Sequence, residues 1–235
     1  MQIRLVFSLI TLLWLTDLPA QIRVVKNPIV AQQSHSELKI DEIHFFADST
    51  IVFLTITNRL KEGGWFCADR NIYLEDAKQF TRRKLVGVKG IPWCPDSHKF
   101  TSIGEALSFS LSFPAMPGEP ELLNLIEQCD KACFVLKGII LDEKLNRDIR
   151  LFDEGTDYFV NDNLDKALEV FYKIVEEIPS NPTHVYGYSY YNIIRIHWQK
   201  GNKEEALRWL KQLELSGLPN TKYFIENLRS EMSVE

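Results

Sequence analysis

The clearest pattern in the chain is a two-residue alternation over 105–114, where Leu107, Phe109, Leu111 and Phe113 interleave with Ser108, Ser110 and Ser112. Successive side chains of a strand point to opposite faces, so this spacing predicts a strand with one apolar face and one wet face. Pro114 and Pro117-Gly118 end it, because proline has no N–H to give to a ladder. Upstream, 38–46 and 50–58 flank Ala47-Asp48-Ser49, a connection of hairpin length. Segments 71–75, 84–88 and 134–141 are further strand candidates, with a weaker one over 22–30. In this part of the chain only 121–128 reads as helical. Short strands broken by Gly, Pro and Asp favour an antiparallel sandwich over a parallel sheet.

Beyond residue 150 the period lengthens to that of a helix. Leu151, Gly155 and Tyr158 form one stripe, and Ala167, Phe171 and Ile174 form another that faces it. The pattern then recurs, with Tyr190, Ile193, Ile194 and His197 facing Ala206, Leu210 and Leu213. A turn precedes each alanine (Asn161-Asp162-Asn163, Lys200-Gly201-Asn202), and a proline follows each (Pro179, Pro219). Tyr223, Phe224 and Leu228 keep helical spacing over 220–229, which predicts a closing helix. The sum is an α+β fold of two domains, with β structure over 21–145 and helical hairpins over 146–235.

The helical part resembles the tetratricopeptide repeat family, whose unit of about 34 residues pairs a small residue in its first helix with an alanine in its second. The two alanines here lie 39 positions apart, so about five residues are added, placed most simply around 182–188. Ile194 and His197 depart from the small residue and tyrosine of the family pattern. The resemblance implies a concave surface lined by first-helix positions. Carried onto this chain, those are Phe152, Thr156 and Phe159, then Tyr188, Tyr191, Arg195 and Trp198. Aromatics and arginine are enriched where proteins hold their partners, so the implied occupant is a protein or peptide. A plain α-hairpin bundle is the alternative fold, and contact of Phe152 and Phe159 with the β domain is the alternative use of that surface. The β-rich part resembles the immunoglobulin-like sandwich domains of exported bacterial proteins. That likeness rests on 50–58, Gly104-Glu105-Ala106-Leu107-Ser108-Phe109 and Phe113-Pro114, and it implies a presenting or binding role without catalysis.

The first residues set a compartment. Arg4, the largely apolar 5–15 and Leu18-Pro19-Ala20 read as a signal peptide over 1–20, too short and too soon ended by Asp17 for a membrane span. Export to a periplasmic or extracellular space follows, with no span remaining after cleavage and a partner in the cell envelope. In such a space the four cysteines favour disulfides. Three pairings are possible; Cys129 with Cys133 suits a local bridge, and Cys67 with Cys94, each behind an aromatic, is the natural second pair. A metal site of Cys94 and His98, or a redox pair at Cys129 and Cys133, is the rival use.

Net charge excludes one large class. At -5, the chain offers no basic stripe for a nucleic acid, and Arg82-Arg83-Lys84 reads as a solvated strand or turn. No G-x-S-x-G, H-E-x-x-H, Walker or dinucleotide motif occurs, and the five histidines are scattered. The reading is a non-enzymatic interaction protein with no cofactor. A second class, glycan or cell-wall binding through Trp65 and Trp93, uses the β-rich part.

Overall fold

The structure is a computed structural model that describes residues 21–130 and 132–232. The expected signal peptide over 1–20 lies outside the described residues. The described strands, in chain order, are β1 (Gln21–Lys26), β2 (Val30–Gln33), β3 (Leu38–Phe46), β4 (Ser49–Thr57), β5 (Trp65–Phe66), β6 (Tyr73–Asp76), β7 (Arg82–Lys84), β8 (Gly87–Lys89), β9 (His98–Lys99), β10 (Ala106–Pro114), β11 (Leu122–Ile126) and β12 (Val135–Ile140). The helices are α1 (Glu143–Val160), α2 (Leu164–Val175), α3 (His184–Gln199), α4 (Lys203–Leu215) and α5 (Thr221–Met232). The described residues divide into two compact units, with the boundary between Ile139 and Ile140.

In the first unit, one five-stranded sheet has the order β1-β3-β4-β10-β8 and a second has the order β2-β12-β11-β6-β7. β5 and β9 form a small separate pair. The hairpin of β3 and β4 turns at Ala47-Asp48, and β4 buries Val52, Leu54 and Ile56 at alternate positions. β10 lies along β4 in antiparallel register from Ala106 opposite Thr57 to Pro114 opposite Ser49. Asn27, at φ 46°, and Pro28 carry the chain from β1 in one sheet to β2 in the other. Leu74, Leu123, Leu125, Leu136 and Ile139 are the fully buried members of the second sheet. Each such side chain contributes on the order of 1.5–3 kcal/mol by leaving water.

Three expectations need correction here. Residues 121–128 do not form a helix. Leu122–Ile126 is β11, paired antiparallel with β6, and its burial alternates with Leu123 and Leu125 inward. Ladder pairing and one buried face decide the conformation of so short an apolar run. The serine face of β10 is not uniformly wet either. β10 is an inner strand, and Phe53 and Lys89 stand opposite Ser110 in its two neighbours and cover it. The single strand expected over 84–88 is two short ones, β7 and β8, on different sheets.

In the second unit, α1 begins eight residues before the stripe read from Leu151. Asp142 caps it, its carboxylate accepting the Leu145 N–H at 2.8 Å, and Glu143 adds negative charge to the first turn. α1 joins α2, and α3 joins α4, through three-residue loops of one design. In the first, Asp162 takes φ 56° and the Asn163 N–H reaches back to the Tyr158 carbonyl at 2.8 Å. In the second, Gly201 takes φ 78° and the Asn202 N–H reaches the His197 carbonyl at 2.9 Å. This six-to-one bond around a left-handed residue is the Schellman arrangement that ends a helix. It explains why Asp and Gly alternate at this position, since both tolerate positive φ. The residues expected as an insertion around 182–188 are helix from His184 onward.

The helical core follows the predicted stripes. Ala167, Phe171, Ile174, Ile193, Ile194, Ala206, Leu210 and Leu213 are all buried, with Phe224 and Leu228 of α5 added. Gly155 lets α1 approach α2 closely, because a Cβ there would sit 2.8 Å from the buried ring of Phe171. Gly187 does the same for α3 and α5, with Phe224 at 2.4 Å from such a Cβ. One buried charge is tied into this core. Asp148 accepts from the hydroxyl of fully buried Tyr186 and from Lys144 Nζ, both at 2.7 Å.

Candidate functional site

The residues proposed to line a surface lie on α1 and α3 at helical spacing, and the structure brings most of them together. The rings of Phe152 (α1) and Tyr188 (α3) are 6.3 Å apart. Phe224 of α5 joins Tyr188 at 4.8 Å, edge to face, and Tyr191 at 6.0 Å. Phe159 of α1 lies under the Arg195 guanidinium at 5.3 Å, and the same guanidinium covers Tyr191 at 5.5 Å. Phe152, Phe159, Tyr188, Tyr191 and Arg195, joined by Phe224, are therefore one connected cluster across three helices. Tyr188 is 40% exposed on it, and Tyr223 is 59% exposed beside Phe224.

Polar contacts fix the far end of this surface. Glu231 of α5 accepts a hydrogen bond from the Tyr191 hydroxyl and pairs with Arg195 Nε at 2.9 Å. Burial first, and then the Glu231 carboxylate, push the Tyr191 hydroxyl up to about 12. Tyr191 thus remains a protonated donor at neutral pH. Glu231 engages Arg195 Nε, which leaves its terminal N–H groups for a further acceptor. Thr156 is half-buried, and its hydroxyl donates to the Phe152 carbonyl of its own helix at 2.8 Å.

Trp198 stands apart from the cluster. It is half-buried at the end of α3, with Lys203 Nζ 5.0 Å from its ring centre, and among the described residues no ring contact joins it to the others. Two participants escaped the sequence reading. Phe224 was expected only as a closing-helix residue, and Glu231 reads on sequence as one more charge near a helix end. The spacing of Phe224, Leu228 and Glu231 is the signal that places them on the α3 side of α5.

The remaining candidates resolve as structure. Cys67 is bonded to Cys94 and Cys129 to Cys133, so no cysteine among the described residues is a free thiol. His197 Nε2 shares a hydrogen bond of 2.5 Å with the Tyr172 hydroxyl, and burial pushes its pKa down, so the neutral ring is a packing element. His98 pairs with Glu105 at 3.1 Å and not with Ser97. The Thr101 N–H and hydroxyl, with His98 behind them, push Glu105 down to about 2. Trp93 is covered by the Arg70 guanidinium at 4.7 Å, whereas Trp65 is 54% exposed. Of the two indoles expected to be exposed, Trp93 is half-buried and Trp65 is the open one.

Comparison with family models, curated proteins and solved structures gives no significant match. No helix among the described residues is long and apolar enough to cross a membrane. That fact and the two disulfides are compatible with an exported protein.

Proposed function

We propose that the protein is an exported interaction module whose helical unit holds an apolar segment of another envelope or secreted protein against the α1-α3-α5 surface. The observation that carries this reading is the run of Phe152, Tyr188 and Phe224 from three helices, in which Tyr188 stays open to solvent. Aromatic rings held by buried neighbours give large contact area at small entropic cost. Apolar side chains of the segment would lie over Tyr188 and Phe152, and a carboxylate would meet the terminal N–H groups of Arg195.

The matching Schellman loops, and the alanines 39 positions apart, support a reading of α1 to α4 as two units of the tetratricopeptide kind with α5 as the closing helix. The ring of Phe66 lies 5.7 Å from Phe109 of one sheet and 6.1 Å from Phe134 beside the other, which supports a sandwich of the immunoglobulin-like kind for the first unit. A periplasmic or extracellular location completes the reading.

Selection from a displayed random-peptide library on the full chain tests it. Selected peptides should bind Tyr188→Ala about tenfold more weakly, and Leu207→Ala, an exposed change on α4, as well as the parent. No enriched peptide, or equal loss in both variants, would remove the basis for the proposal.

A further inference from the structure

The β-rich unit contains a cavity of about 580 Å³ that owes nothing to the helical surface. Small-molecule sites fall in the range of roughly 300–1,000 Å³. Both disulfides reach this one, since Cys67, Cys94 and Cys129 are among its lining residues, so its walls are covalently tied. Such pre-organisation lowers the cost of ordering a site around a ligand.

Two polar side chains of the lining are more than nine-tenths buried, Asn58 at 6% exposure and Glu127 at 7%. Asn58 is used up by the fold. Its amide donates to the carbonyls of Leu60 at 2.8 Å and Ser102 at 2.7 Å, and its oxygen accepts from the Leu60 N–H at 3.1 Å. Glu127 is held but not saturated. One oxygen accepts from the Asp69 N–H at 3.0 Å and the other from the Phe134 N–H at 3.1 Å. A carboxylate oxygen has a second lone pair, so each can take one more donor. Burial raises the Glu127 pKa, and the two N–H groups pull against it.

Trp65 supplies the complementary element. Its indole is 54% exposed and lines the cavity with Phe100. The chain before it is packed onto Asn58, because a Cβ at Gly64 would meet the Asn58 amide oxygen at 2.4 Å. Trp65 is thereby presented from a fixed backbone.

The chemistry selects one ligand class. A phosphate or other anion would face the carboxylates of Glu37, Asp69, Glu127 and Asp130. A wholly apolar molecule would bury Glu127 without a new partner, which is costly. A sugar ring offers an apolar C–H face for the indole and hydroxyl donors for the carboxylate, while Arg59 and His35 can donate to its oxygens. The geometry points to this cavity as a saccharide site, with Trp65 as the stacking platform and Glu127 as the hydroxyl acceptor.

A glycan array probed with the full chain, followed by calorimetric titration of the bound saccharides, tests the assignment. At least one saccharide should bind, with affinity falling about tenfold or more in Trp65→Ala and in Glu127→Gln, and unchanged in Trp93→Ala. Trp65 is half exposed, so its variant should keep the parent melting curve, and Arg59→Ala on the exposed rim gives a second reading should Glu127→Gln fail to fold. Absence of any bound saccharide, binding undiminished in Trp65→Ala, or preference for a simple amine over every sugar would overturn it. None of these results bears on the helical surface.

Discussion

Asp148→Ala is expected to destabilise the helical unit by about 3 kcal/mol, measured as a lower midpoint in its denaturant unfolding. Asp148 is 1% exposed and is the acceptor for the hydroxyl of fully buried Tyr186 and for Lys144 Nζ, with Arg147 Nε at 3.5 Å. Removing it strands the tyrosine hydroxyl in a dry core, which costs more than the hydrogen bond itself contributes. Lys144 keeps partial access to water and recovers some hydration. Asp148→Asn retains an acceptor and should fall between the two. Tyr186→Phe, which removes the donor, should cost about 1 kcal/mol and so less than Asp148→Ala. Equal stability of Asp148→Ala and the parent would mean that this network does not fasten α1 to α3.

The paired change Cys67→Ser with Cys94→Ser should cost the β-rich unit about 3.5 kcal/mol, and Cys129→Ser with Cys133→Ser about 2 kcal/mol, on the chain-entropy account. The first bridge spans 27 positions and the second only 4, so opening the first frees far more of the unfolded chain. Parallel urea titrations of the two double variants measure the order directly. The longer bridge joins two lining residues of the cavity, Cys67 and Cys94, so its loss should be felt in the Trp65 environment as well. A larger effect from the shorter bridge would show that folded-state packing around Cys129, not loop entropy, sets the cost.

Much of the architecture was legible because both units repeat a simple period. The strand bounds at 38–46 agree with β3 residue for residue, and those at 105–114 and 134–141 agree with β10 and β12 to within a residue at either end. Spacing and neighbouring aromatics favoured, among three possible pairings, the two disulfides found. β11 was misread because Leu122, Leu123, Leu125 and Ile126 fit a helical stripe as well as a strand, and only the ladder to β6 decides between them. The first two turns of α1 were missed because they follow directly on β12, with Asp142 the only marker of their start.

The surface residues were legible for a different reason. Positions 188, 191 and 195 share one helix face by geometry alone, as do 152, 156 and 159. What spacing could not supply was the third helix. Phe224 packs under Tyr188 and Tyr191, and Glu231 occupies Arg195, through contacts that join residues 33 or more positions apart. Trp198 fits the same stripe, yet Lys203 at the start of α4 covers its ring.

The central claim is that α1, α3 and α5 together present the surface that a segment of another protein occupies. A photoreactive amino acid placed at Tyr188, and in a separate protein at the equally exposed Leu207 of α4, tests it most directly with a peptide selected on the parent chain. The account predicts a covalent adduct from position 188 and none from position 207. Adducts from position 207 alone, or from both positions in equal yield, would contradict it.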